Sequence, residues 1–203
     1  MRKIFVTGIG TDVGKTVVSS ILVEAKKADY WKPVQAGTYY ATDSQKVQKW
    51  ITNTQSVIHP EAYCLKEHMS PHAAAESEGV DVDFEKITLP ETSNTLIIEG
   101  AGGVMVPINN THYIIDLIKK FDAEAIVVIQ NYLGSINHSL LTIDALKHRG
   151  INILGLVFNG SPHPLSKEII LKYSGLPCIS WIIKEPAINK DVILKYKKDF
   201  ENI

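Results

Sequence analysis

Residues 6–16 read Val-Thr-Gly-Ile-Gly-Thr-Asp-Val-Gly-Lys-Thr, a glycine-punctuated run ending in a lysine and a hydroxyl side chain. Such a run suits a phosphate. Glycines let backbone N–H groups converge on an anion, a following helix adds its dipole, and Lys15 supplies a mobile positive charge. The Thr16 hydroxyl beside it is the kind of hard oxygen that Mg²⁺ accepts. The general pattern of Gly, four residues, then Gly-Lys-Ser/Thr is not met at its first position. Counting back from Gly14 reaches Ile9, and Gly8 lies one residue earlier, leaving five intervening residues. The alternative is an ordinary glycine-rich turn. The apolar run Ile4-Phe5-Val6 before it and the helical pattern after it supply the strand-to-helix context that a phosphate loop requires.

Other candidates stand where strands should end. Glu99 closes the apolar run Thr-Leu-Ile-Ile-Glu and precedes Gly100-Ala101-Gly102-Gly103. Buried strands rarely finish on an acid without a partner, and the glycines let a ligand approach the backbone. Lys32 lies beside the turn Pro33-Val34-Gln35-Ala36-Gly37 and is either a solvated charge or a ligand contact. Thr42 or Ser44 could cap a helix that runs to about residue 51, and on sequence alone Asp43 too reads as a helix cap. His72, in Ser70-Pro71-His72, reads as a surface or capping residue, and His59, His68 and His72 lack metal-ligand spacing. Around Gly134-Ser135-Ile136-Asn137 a helix opens after a strand. Ser135 or Asn137 could cap it, or the helix start could hold an anion.

The elements that must carry these residues alternate. Strands are predicted over residues 3–7, 29–34, 95–99, 124–130, 151–158 and 177–183. Helices are predicted over 15–27, from 43 or 44 to 51, from 71 onward, and over 113–120, 135–148, 166–173 and 190–200. Residues 39–83 are the least periodic part. The alternation predicts an α/β protein built on one doubly wound, mostly parallel sheet with phosphate-loop topology, a single domain over residues 1–203. Chemistry in such sheets lies outside the carboxyl ends of the strands.

Composition narrows the partners. The chain has 203 residues, 45% of them apolar and 21% charged, enough for a sizeable core. A net charge of −1 gives no electrostatic argument for nucleic acid or an acidic membrane surface. The two cysteines, Cys64 and Cys178, have no metal spacing and fit a reducing compartment. No apolar run approaches membrane-spanning length, and the opening Met-Arg-Lys leads directly into a strand, so a cytoplasmic location is expected.

Taken together, these stretches resemble the dethiobiotin synthetase family. The resemblance runs from about residue 3 to residue 160. It rests on the long loop ending Val-Gly-Lys-Thr, Lys32-Pro33-Val34 with Gly37, Asp43, Ser70-Pro71-His72, residues 99–103, Leu133-Gly134 with Ile136-Asn137-His138, and Asn159. The five-residue loop spacing is usual in that family. The resemblance implies ATP- and Mg²⁺-dependent joining of CO₂ to 7,8-diaminopelargonate through a carbamic-phosphoric anhydride that closes to a cyclic urea. It assigns Lys15, Lys32 and Thr11 to catalysis, and Thr16, Asp43 and Glu99 to Mg²⁺. The nucleotide would be held by Asp12, Val13, Gly14, Lys15, Thr16 and Val17, by Asp43, by Glu99, Gly100, Ala101 and Gly102, and by Asn159 and Gly160. Gly134, Ser135, Ile136 and Asn137 would hold the substrate carboxylate from a neighbouring subunit, which implies a homodimer. Two departures stand out. Ala36 occupies a position where the family often has serine, leaving its backbone or Thr38 to contact substrate. Ser180-Trp181-Ile182-Ile183 stands where the family usually carries Gly-x-Ile-Pro. The competing reading is a related phosphate-loop ATPase acting as a nucleotide-dependent switch. The partitioning and cell-division ATPases carry a second lysine where this chain has Gly10. The amide-forming cobyric acid synthases usually add a glutaminase domain.

Overall fold

The computed structural model describes residues 1–37 and 41–203. Nine strands and seven α-helices are found among these residues. Seven strands form the main sheet in the order β4 (Ile58–His59), β2 (Asp29–Trp31), β6 (Leu96–Glu99), β1 (Lys3–Gly8), β7 (Glu124–Gln130), β8 (Ile153–Asn159) and β9 (Cys178–Ile182). Every pairing in it is parallel. Parallel strands buried on both faces must read as apolar runs, and β1, β6 and β7 do. Ile4, Phe5, Leu96, Ile97, Ile98 and Ile126 are all fully buried.

β1 is the topological switch point. From it the chain passes through α1 (Lys15–Lys26) to β2 on one side. Later it returns to β7 on the other side and proceeds through α5 (Ser135–His148) and α6 (Pro164–Ser174) to β8 and β9. Right-handed crossovers running in opposite directions put α1 on one face and α5 and α6 on the other. α1 packs with α2 (Asp43–Trp50) and α7 (Lys190–Tyr196), whereas α5 packs with α6. The crevice at the carboxyl end of β1 is therefore the expected ligand position.

Two sequence expectations need correction. The strand predicted over residues 29–34 is two strands in two sheets. β2 stops at Trp31, and β3 (Val34–Ala36) pairs in parallel with β5 (Tyr63–Leu65) in a separate two-stranded sheet. Pro33 cannot donate to a ladder. Its carbonyl instead accepts from the N–H groups of Ala62 and Tyr63, which turns the chain out of the main sheet just after Lys32. The single sheet of five or six strands is accordingly a seven-stranded sheet with a two-stranded companion. The second correction concerns α5: its N-cap is Gly134 in a left-handed conformation (φ 101°), with no capping side chain from Ser135 or Asn137.

Candidate active site

The phosphate loop leaves β1 at Gly8. The Ile9 N–H donates to the Val128 carbonyl, and the next N–H used within the fold is that of Val18, to the Gly14 carbonyl. Among the described residues the N–H groups of residues 10–14 make no hydrogen bond within the chain. Asp12 (φ 58°) and Gly14 (φ 99°) are left-handed, which curls the loop into a concavity at the start of α1. Gly14 has no room for a side chain either: a Cβ there would lie 2.3 Å from Asn159 Nδ2. Asn159, at the end of β8, donates from that nitrogen to the Val13 carbonyl at 2.9 Å, so the far half of the sheet holds the loop from below.

Lys15 is 7% exposed and donates to the Gly10 carbonyl at 2.7 Å. Burial, reinforced by the nearby Lys32 charge and moderated by Glu99, lowers its pKa to about 8. Thr16 donates through Oγ1 to Glu99 Oε1 at 2.9 Å. Glu99, the last residue of β6, is 1% exposed, and its other oxygen, Oε2, accepts from the Tyr30 hydroxyl at 2.9 Å.

Lys32, just past β2, is 4% exposed and bridges two acids. Its Nζ donates to Asp43 Oδ2 at 2.6 Å and to Glu99 Oε1 at 3.3 Å. Burial alone would lower its pKa, but the Glu99 and Asp43 charges outweigh burial and leave it raised, so Lys32 stays charged. Asp43 responds in the opposite sense. Burial pushes its pKa up, but Lys32, with help from Lys46, brings it down to about 2.

Asp43 is not the cap of α2. Thr42 is, and its side chain accepts from the Gln45 N–H in a capping box. Asp43 is the first helical residue, where a negative charge is favoured by the helix dipole. Its N–H donates to Gln35 Oε1 at 3.1 Å, linking α2 to β3. One turn along α2, Lys46 donates to Asp43 Oδ1 at 2.9 Å.

These groups line one cavity of about 860 Å³. The cavity brings together Thr11, Asp12, Gly14, Lys15, Thr16, Val17, Lys32, Ala36, Asp43, Glu99, Ala101 and Gly102 of the sequence-predicted set. The rest of that set lies elsewhere. Val13 is buried beneath the loop, Gly100 packs against Phe5, and Asn159 anchors the loop with Gly160 beside it. Thr38 lies outside the described residues. Gly134, Ile136 and Asn137 are exposed at the start of α5 and Ser135 is buried; none of the four lines this cavity. They flank a shallower groove of about 470 Å³ that includes Thr11, Met105, Tyr132, His138 and Leu141. His72 pairs with the Ser70 hydroxyl at 2.9 Å, and no side chain caps the helix that begins at Pro71.

Sequence reasoning missed Tyr30, Gln35 and Lys46. Tyr30 and Lys32 are two residues apart on an extended segment, and Asp43 and Lys46 are one helical turn apart; those periodicities were the available signals.

One hydroxyl and two carboxylates, Thr16, Asp43 and Glu99, make the hard-oxygen donor set that Mg²⁺ prefers. Two carboxylates do not enclose an ion, and Mg²⁺ is ordinarily completed by water and nucleotide phosphates. The residues present therefore fit a Mg²⁺–nucleotide complex. Lys15 and Lys32, in the same cavity, can neutralise the charge of a transferring phosphoryl group.

Comparison with known proteins bears on this geometry. The profile of a family described as "AAA domain" matches residues 2–191. The chain is 52% identical over its whole length to the ATP-dependent dethiobiotin synthetase of Cytophaga hutchinsonii, covering 98% of that protein. It is 49% identical to that of Christiangramia forsetii, covering 98% of this chain and 96% of the relative. It is 40% identical to that of Chlamydia pneumoniae, covering 100% and 91%. In fold it is similar to the cell division ATPase MinD of Pyrococcus furiosus (TM-score 0.60, 13% identity, 100% of this chain and 99% of that one). It is also similar to the Mg-ADP complex of MinD from Pyrococcus horikoshii (TM-score 0.58, 15% identity, 99% and 91%).

Proposed function

The chain belongs to the dethiobiotin synthetase family, within the wider AAA-domain group, and on that footing we propose how its own residues carry out the family's reaction. It is an ATP- and Mg²⁺-dependent ligase of biotin biosynthesis. It joins CO₂ to 7,8-diaminopelargonate and closes the ureido ring of dethiobiotin.

One amine of the substrate attacks CO₂ and loses a proton, giving a carbamate. The carbamate oxygen takes the γ-phosphoryl group as ADP leaves, forming a carbamic-phosphoric anhydride. The second amine attacks the anhydride carbon, loses its proton and expels phosphate. Each stage places negative charge where Lys15 and Lys32 converge. The chain's task is to position the reactants and neutralise that charge. Lys32 holds the carbamate and the moving phosphoryl group, Lys15 and the loop N–H groups hold the nucleotide phosphates, and Thr11 supplies a hydroxyl at the rim. Thr16, Asp43 and Glu99 would hold Mg²⁺, which would supply positive charge to offset that of the nucleotide phosphates. Val17, Ala101 and Gly102, which line the same cavity, are assigned to the nucleotide. Substrate is taken by the Ala36 backbone or by Thr38.

The observation that carries this reading is Lys32: a buried cation held between both acids in the same cavity as Lys15. A nucleotide switch has no use for it.

We further propose a homodimer, with residues 134–137 of each copy receiving the substrate carboxylate of the other. Leu133 is fully exposed, and Met105, Tyr132, Ile136 and Leu141 are exposed beside it. Contiguous apolar side chains of this kind mark an interface. The nearly neutral charge favours small molecules over nucleic acid as partners, and a cytoplasmic single-domain enzyme over residues 1–203 is the simplest setting. No helix among the described residues is long and apolar enough to cross a membrane.

The test is dethiobiotin formation, followed by mass spectrometry, from ATP, Mg²⁺, bicarbonate and 7,8-diaminopelargonate, with ADP release measured in parallel. One ADP should appear per ring closed, and only with both substrates present. ATP hydrolysis indifferent to them would favour the switch.

A further inference from the structure

We infer that Tyr30 is a positioning residue that sets the metal preference of the site by denying one oxygen of Glu99 to the ion. The inference rests on the assignment of Glu99, Asp43 and Thr16 to Mg²⁺.

Tyr30 lies in β2, in register with Ile97 of the neighbouring β6, and is fully buried. Its hydroxyl donates to Glu99 Oε2 at 2.9 Å. A buried carboxylate needs donors for both oxygens, and the two here are served by different groups. Oε1 accepts from Thr16 and Lys32 on the cavity side, and Oε2 accepts from Tyr30. Thr16 and Lys32 line the cavity and Tyr30 does not. Tyr30 is thus a fixed donor within the sheet, whereas the groups on Oε1 belong to the chemistry and can yield to an ion.

The consequence concerns denticity. Ca²⁺ takes about six to eight oxygens and readily accepts both oxygens of one carboxylate; Mg²⁺ takes six in a tight octahedron and is satisfied by single oxygens and water. With Oε2 turned to the buried hydroxyl, Oε1 is the oxygen that Glu99 presents to the cavity groups. A carboxylate that presents one oxygen favours the smaller ion.

The experiment uses Mn²⁺ as the probe. Its binding to the full-length protein with ADP is followed by electron paramagnetic resonance, and Mg²⁺ or Ca²⁺ is added to displace it. The unmodified protein should release Mn²⁺ to Mg²⁺ at lower concentration than to Ca²⁺. Tyr30→Phe removes only the hydroxyl and should shift the ratio of the two displacement constants toward Ca²⁺ by about tenfold, as loss of a partner to a metal ligand does. ADP affinity without metal and the melting curve report on the fold. A structural role alone would lower the melting temperature and leave the ratio unchanged, which overturns the inference. Equal displacement by Mg²⁺ and Ca²⁺ in the unmodified protein overturns it as well, without any variant. If Mn²⁺ binds and Glu99→Gln weakens it while Tyr30→Phe leaves the ratio fixed, the metal site stands and only the role of Tyr30 falls. If Glu99→Gln leaves Mn²⁺ binding untouched, both fall.

Discussion

On the β6 side of β1, the charged groups answer one another within the chain: Lys32 reaches both Asp43 and Glu99, Thr16 and Tyr30 complete Glu99, and Lys46 completes Asp43. At the head of α5, beyond β7, Leu133, Ile136 and Leu141 face solvent. The first region is held together by its own hydrogen bonds and ion pairs, the kind of preorganisation that charge neutralisation in a transition state requires. The second holds apolar surface without a partner among the described residues, as expected of a face finished by another molecule. On the proposed reading, the protein prepares its electrostatics alone and leaves the recognition of a long substrate to assembly.

The sharpest way to break that contrast is Lys32→Ala. It should lower kcat by roughly 10²- to 10³-fold, the scale of losing one group aimed at transition-state charge, while ATP affinity changes little. Equal losses in both would make Lys32 a nucleotide ligand. Next in size, Leu133→Asp combined with Leu141→Asp should weaken self-association by roughly 30-fold, taking about 2 kcal/mol as the cost of lost interface anchors. Sedimentation would read this, and turnover at low enzyme concentration should fall with it. An unchanged sedimentation profile would remove this face from the interface.

Smaller again, Asp43→Asn should raise the Mg²⁺ concentration for half-maximal activity by about tenfold. An unchanged Mg²⁺ titration would remove Asp43 from the metal site. The smallest effect is a fraction of a proton. The Lys15 pKa stands at about 8 in the free protein, so part of the population is neutral above that pH. Bound phosphate favours the charged form, so nucleotide binding should take up protons as pH rises through 8 toward the ordinary lysine value of 10.5. Calorimetry in buffers of different ionisation enthalpy measures this directly. Zero uptake at pH 8.5 would mean that Lys15 is already fully charged or does not meet the phosphate.

Much of the prebuilt region was legible in the sequence. The phosphate loop, Glu99 before its glycine run, and the strands on either side of β1 carry strong local signals: long apolar runs, sharp stops and residue types suited to one chemistry. β4 and β5 were not legible, because strands of two or three residues carry no period. The break at Lys32-Pro33 was hidden for a related reason. Residues on both sides are apolar and extended, and only the partner strand tells which sheet each joins. Tyr30 was missed because its meaning depends on Glu99, a residue 69 positions away, and a local reading of residues 29–34 cannot see across that distance. Asp43 read locally as a cap, because an acid at a helix start is ordinarily one, whereas the cap is its neighbour Thr42.

The amide of Asn159 beneath Gly14 couples matters that look separate. The floor of the phosphate cradle is the tip of β8, which is paired in turn with β9, where the Trp181 indole donates to the Gly160 carbonyl. Slack in those outer strands would therefore be transmitted inward. It would surface first as a wobbling grip on nucleotide, well before the molecule as a whole began to melt.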